Sequence, residues 1–197
     1  MKESDFLRDY ANERLRERLW LLFQEAENHA KKFVESDGDW VEIRSVDVGK
    51  AGWAPDGRIW IEPNQNDLGV ILHEVFHSAF HRSTLHDGGA DENWGDAWCD
   101  AFRSVMEHKQ GLANSSSLCK NIERLSGMTC DQAMGHGEDA NYNRAYAYPA
   151  SLIIKQVGCD LDALCRLWFK LTATHSTKRA SVLNEFFGYH LALGVPI

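Results

Sequence analysis

The segment His73-Glu74-Val75-Phe76-His77 constrains the chain more than any other. Two histidines four apart share one face on a helix, where residues i and i+4 stack one turn above the other. The segment is threaded through Leu68, Ile71, Leu72, Val75, Phe76, Ala79 and Phe80, a broad apolar face at three-four spacing. The spacing predicts a helix over 68–82, capped by Asn66 or Asp67. Just upstream, Arg58-Ile59-Trp60-Ile61-Glu62 alternates with period two and stops at Pro63, the pattern of a short strand.

The same periodicities organise the rest. Residues 4–35 read as one amphipathic helix, with Ser4 as its cap and Leu7, Ala11, Leu15, Leu19, Leu22, Ala26 and Phe33 on its apolar face. Gly38 suits a left-handed stop after it. Trp40–Val48 is a second strand candidate, followed by a turn around Pro55-Asp56-Gly57. Helices are predicted over 90–110, 118–125, 148–157, 160–173 and 178–191. Gly127–Asn143 has little periodicity. We read 1–197 as a single domain, made of the N-terminal helix (1–36), a region of sheet and metal-site helices (40–110) and a helical C-terminal part (111–197).

With 197 residues, 44% hydrophobic and 25% charged, the chain can bury a core without cross-links. Five cysteines without a CxxC fit reduced thiols better than a disulfide framework, although Cys119 and Cys130 could form one bridge. A net charge of −8 argues against nucleic acid as a partner, since phosphate binding needs a basic surface. No run approaches the roughly 20 apolar residues that span a bilayer, and no secretory signal is evident, so no membrane partner and a cytoplasmic location are expected.

The His-Glu-x-x-His spacing suits a metal. Both imidazoles can reach one ion, and Glu74, beside that face, can contact a water on the metal without ligating it. One zinc per chain is the expected cofactor. A catalytic zinc takes three protein ligands and keeps one position for water. A histidine six residues after His77 would complete another known pattern, but Ser83 stands there. His81, one turn further along the same helix, would strain the geometry; His86 and Asp87, in the following loop, are possible third ligands. The stronger candidates are Glu92 and Asp96, spaced i, i+4 on the next helix. One carboxylate could ligate, and the other could accept the far N–H of a ligating imidazole and fix its tautomer. Asp100 extends this polar row. Without the upstream histidines, the row would read as the solvated face of an amphipathic helix.

With these residues the chain resembles the gluzincins, the thermolysin-like and aminopeptidase-like zinc peptidases. The resemblance covers roughly residues 58–157. It implies Glu92 as third ligand, Asp96 as the supporting carboxylate of His73, and 58–62 as an edge strand that pairs with extended substrate. The aminopeptidase Gly-x-Met-Glu-Asn signature is absent. The run Asn141–Ser151 is similar to the gluzincin segment in which a tyrosine before a small-residue helix faces the metal. That similarity implies Tyr148 as a donor to the reaction's oxyanion, with Tyr146, Tyr142 and His136 as alternatives. Pro149 suits the first turn of the following helix.

The fold expected is α+β, mainly helical and zincin-like, with a small twisted sheet packed on the His73–His77 helix. The function expected is zinc-dependent hydrolysis of a peptide or protein substrate, with Glu74 as general base. The alternatives are an inactive zincin-fold binding or regulatory module, and a metal hydrolase of a non-peptide amide or ester.

Overall fold

Helices form where apolar residues recur at three-four spacing, and among the described residues that is the prevailing pattern. The computed structural model describes residues 12–31, 43–45, 52–53, 59–61, 68–80, 90–134, 142–172 and 176–189. More than four-fifths of these residues are helical. The α+β expectation is therefore overturned, and the architecture of the described residues is helical. Among the described residues, strand is confined to β1 (Ile43–Ser45), β2 (Gly52–Trp53) and β3 (Ile59–Ile61), paired in the order β1-β3-β2. Ile43 faces Ile59 in the parallel pair, and Trp53 faces Ile59 in the antiparallel one. At about 3.3 Å per residue the described strands are each at most about 10 Å long, and β2 and β3 lie against α2. The period-two signal at 58–62 has its counterpart in β3, but among the described residues helix far outweighs strand.

The chain divides into two compact units, Met1–Thr84 and Leu85–Ile197. In the first, α1 (Glu13–Lys31) packs on α2 (Leu68–Phe80). The side chain of Asn12 accepts the Leu15 N–H at 3.0 Å and satisfies one of the amides left over at the start of α1. The Ser4 cap and the rest of the predicted N-terminal turns lie outside the described residues. Leu19, Trp20, Leu22 and Phe23 form the buried face of α1, with the Trp20 and Phe23 rings 5.9 Å apart. On α2, Ile71, Leu72 and Phe76 are fully buried.

The second unit is built around α3 (Ala90–Lys109), a 20-residue helix about 30 Å long. Packed on it are α4 (Ser117–Ser126), a π-helical stretch (Asn143–Ala147) running into α6 (Tyr148–Val157), α7 (Leu161–Thr172) and α8 (Ser176–Phe187). The short α5 (Cys130–Met134) precedes the π stretch. Trp94, Trp98, Phe102, Val105 and Met106 line one side of α3 with no exposed surface. Trp98 meets Trp168 edge-on at 5.1 Å, and Trp94 stacks on Phe187 at 5.1 Å. The Trp94 indole N–H donates to Asn184 Oδ1 at 2.8 Å, so this large apolar ring is buried without orphaning its one polar atom.

The α3–α4 corner is held by one carboxylate. Glu107 is 4% exposed; its Oε1 accepts from Arg103 Nε at 3.1 Å, and its Oε2 accepts from the Ser116 hydroxyl and, at 3.1 Å, from the Cys119 thiol. Ser116 in turn caps α4 by accepting the Cys119 N–H at 3.1 Å. The Cys119–Cys130 bridge considered from sequence is not formed: both are free thiols. Burial, with the Glu107 charge alongside, raises the Cys119 pKa and keeps it a neutral donor.

Pro149 does more than open a helix. Helix continues upstream of it through the π stretch, because a proline ring clashes with the carbonyl four residues before it and has no N–H to offer. Widening the turn moves the ladder to i, i+5, with the Tyr148 N–H on the Asn143 carbonyl. The next carbonyl, that of Arg144, would need an N–H from position 149, where proline has none. The Tyr189 hydroxyl supplies the missing donor at 2.7 Å. Gly158, at φ +65°, ends α6. Among the described residues no helix is long and apolar enough to cross a membrane.

Candidate metal centre

The helical spacing of His73 and His77 has its expected consequence in the first unit. Both sit on α2, their ring centroids are 5.0 Å apart at 68°, and their ring nitrogens lie within 4.8 Å of each other. Zinc–imidazole bonds are about 2.0–2.1 Å, so nitrogens sharing an ion stand up to about 4 Å apart, within reach of small ring rotations. His77 is 9% exposed and His73 is half-buried. The pair borders the Leu72–Phe76 stripe.

Glu74 lies a further 100° round the helix from His73, on the side away from Leu72 and Phe76. It is nevertheless only 8% exposed. Carboxylates are rarely buried unless they are paired or have work to do. The α2 helix is thus enclosed on its apolar side and on its acidic side alike. This is the observation that most separates Glu74 from an ordinary surface acid.

In the second unit, α3 carries the predicted carboxylates. Glu92 is on the helix, but its side chain lies outside the described residues. Asp96 is half-buried, and Asp100 is 2% exposed. Stepping 100° per residue, positions 92, 96, 99, 100, 103 and 107 fall within about one-third of the circumference, opposite Trp94, Trp98 and Phe102. The members Cys99, Asp100 and Glu107 are all buried. The row is therefore not a solvated face. Cys99 was missed in the sequence reading. It is a fully buried free thiol seven residues after Glu92 and three after Asp96, and that spacing was the available signal.

The tyrosines occupy different environments in the same unit. The Tyr142 hydroxyl donates to Asp100 Oδ2 at 2.6 Å, and its ring lies 5.4 Å from that of Tyr146. Burial first, then the Asp100 charge, raises the Tyr142 pKa far above its ordinary value. Tyr148 is 7% exposed and packs edge-on against Tyr189 at 5.2 Å. Its pKa is raised mainly by burial, with Cys130 and Asp131 adding to the shift. Both phenols stay protonated at neutral pH, the state a hydrogen-bond donor needs. The alternatives His81, His86, Asp87 and His136 lie outside the described residues. No protein-family model, curated protein or solved structure matches the chain.

Proposed function

We propose that the protein is a zinc-dependent hydrolase acting on peptide bonds, of gluzincin-like design. The observation that carries the reading is the pair of adjacent imidazoles on one face of α2 with a buried glutamate beside them. The donor chemistry fits zinc, because imidazole nitrogen and carboxylate oxygen are its usual catalytic ligands. His73 and His77 supply two ligands and Glu92 the third, with Asp96 fixing an imidazole tautomer. Bound zinc would supply an acidified water and polarise a carbonyl. Glu74 takes the proton of the attacking water and hands it to the leaving amine. Tyr148, a protonated phenol, is the proposed donor to the developing oxyanion.

Cys99 favours a second reading. A buried thiol on the same row as Glu92 and Asp96 would, as a fourth protein ligand, close the site and make the zinc structural. The two readings separate on Glu74→Gln. In a hydrolase this variant keeps its zinc and loses turnover of a broad peptide library by about 10²-fold or more. If hydrolysis by Glu74→Gln equals that of the wild type, Glu74 is not the base. If neither protein hydrolyses any peptide while both hold zinc, the structural reading stands.

A further inference from the structure

The Cys119 thiol does more than brace the α3–α4 corner. Although buried, it forms part of the wall of a cavity of about 520 Å³ within the second unit, between α3, α4 and the end of α6. The exposed thiol of Cys159, just past α6, lines the same cavity, and so does His108 from the last turn of α3. Ile122 and Ile154 supply apolar wall. A cavity of this size with a few convergent polar groups has the form of a ligand site.

Its charge favours a cation. Among the described residues that line it none is Lys or Arg, and Glu123 adds a carboxylate. It borders the C-terminal ends of α3 and α6, where the helix dipoles are negative. Its donors are soft. Cys119 Sγ stands 3.8 Å from His108 Nδ1 and 3.1 Å from Glu107 Oε2. His108 Nδ1 lies 2.9 Å from the Ser104 carbonyl oxygen, which can only accept, so Nδ1 carries a proton and the neutral ring keeps its lone pair on Nε2. A main-chain carbonyl on one ring nitrogen is the usual outer partner of a metal-ligating imidazole. Among the described residues, no three nitrogen, sulfur or carboxylate donors around Cys119 lie mutually within 4.8 Å, so the four-ligand shell that zinc prefers is not laid out there. Thiolate sulfur with one imidazole, at low coordination number, suits a soft monovalent ion such as Cu(I).

We propose that this cavity is a second metal site, independent of the His73–His77 pair, which takes Cu(I) on the sulfurs of Cys119 and Cys159 with His108 as the third donor. Each thiol gives up its proton as its sulfur binds, so one ion replaces two protons. The Cys119 proton leaves its bond to Glu107 Oε2, and the charge of that carboxylate then offsets the charge of the ion. The Ser104 hydroxyl, 3.4 Å from Sγ, remains as a donor to the thiolate.

The test is Cu(I) affinity of the full chain, measured without oxygen by competition with bicinchoninate, for the wild type, Cys119→Ser, Cys159→Ser, His108→Ala and His77→Ala. Loss of a mere outer partner weakens metal binding by on the order of 10- to 100-fold, so loss of a ligand is expected to weaken it by at least about 10-fold. Cys119→Ser, Cys159→Ser and His108→Ala should each do so, while His77→Ala stays within about twofold of the wild type, whether or not that histidine binds zinc. Urea midpoints measured without metal show that each variant is folded. If Cys119→Ser does not fold, Cys159→Ser, at an exposed position, decides the question. A wild type that loses all Cu(I) to the chelator overturns the proposal. So does wild-type affinity in any of the three cavity variants, or a loss in His77→Ala as large as theirs.

Discussion

Tyr189→Phe deletes one oxygen and leaves the ring that packs on Tyr148. In the wild type that oxygen is the donor to the Arg144 carbonyl, at 2.7 Å. The π ladder would otherwise bring an N–H from position 149, and proline has none. Leaving a buried acceptor unsatisfied costs about 1–3 kcal/mol. The bond is only part-buried and Arg144 itself is exposed, so water can partly replace the donor and the low end, about 1 kcal/mol, is expected. For a chain of this size that is about 2–4 °C in melting midpoint. Pro149→Ala restores the N–H. In that background Tyr189→Phe should cost no more than about 0.3 kcal/mol, because the carbonyl has a main-chain donor whether the turn stays wide or relaxes to an α-helix. Urea unfolding followed by tryptophan fluorescence on all four proteins gives the coupling, expected at about 0.7 kcal/mol. An equal cost of Tyr189→Phe in both backgrounds would refute the argument that Pro149 creates the need for Tyr189.

Other consequences follow from the same contacts. Glu107→Ala leaves Arg103, Ser116 and Cys119 without their shared acceptor and should lower unfolding free energy by about 3 kcal/mol. Ser116→Ala, which removes the α4 cap, should cost about 1 kcal/mol, and the pair together less than the sum, read from urea midpoints. Tyr142 and Tyr189 ionise less readily folded than unfolded, burial being the main cause for each. Their contribution to stability is complete below about pH 10, the ordinary phenol value, and is lost as pH rises toward the folded values. Tyr142→Phe and Tyr189→Phe should each flatten the alkaline side of a stability-versus-pH curve. An unchanged alkaline slope would show that these phenols do not carry it.

How much of this was legible in the sequence depended on how far each signal extends. α2 and α3 were readable because their apolar positions repeat over three or more turns, and a long period leaves one face to bury. The strands at 58–62 and 40–48 were readable and appear as β3 and β1, but a short alternation does not say how little of the fold is sheet, so the class was misjudged. Pro149 does sit in the first turn of the helix over 148–157, as its sequence position implies, but the widened turn before it was not legible. Proline at a helix start and proline inside a widened helix look alike in one dimension. Only the Tyr148 N–H on the Asn143 carbonyl and the distant Tyr189 hydroxyl distinguish them. The acidic row on α3 was visible as spacing, but its burial was not, because whether a face is solvated depends on what the rest of the chain places over it. Cys99 was overlooked for the same reason: among aromatic neighbours a cysteine reads as one more apolar residue.

The central claim is that this chain holds a metal through His73 and His77. Its most direct test is metal content by plasma mass spectrometry on purified wild type, His77→Ala and Glu92→Ala, each after incubation with zinc and removal of the excess. About one zinc per chain is expected in the wild type, with loss in His77→Ala and loss or marked weakening in Glu92→Ala. Zinc that persists in Glu92→Ala would move the third ligand to Asp96 or Cys99. A wild type that takes up no zinc, or a His77→Ala protein that holds as much as the wild type, would contradict the claim.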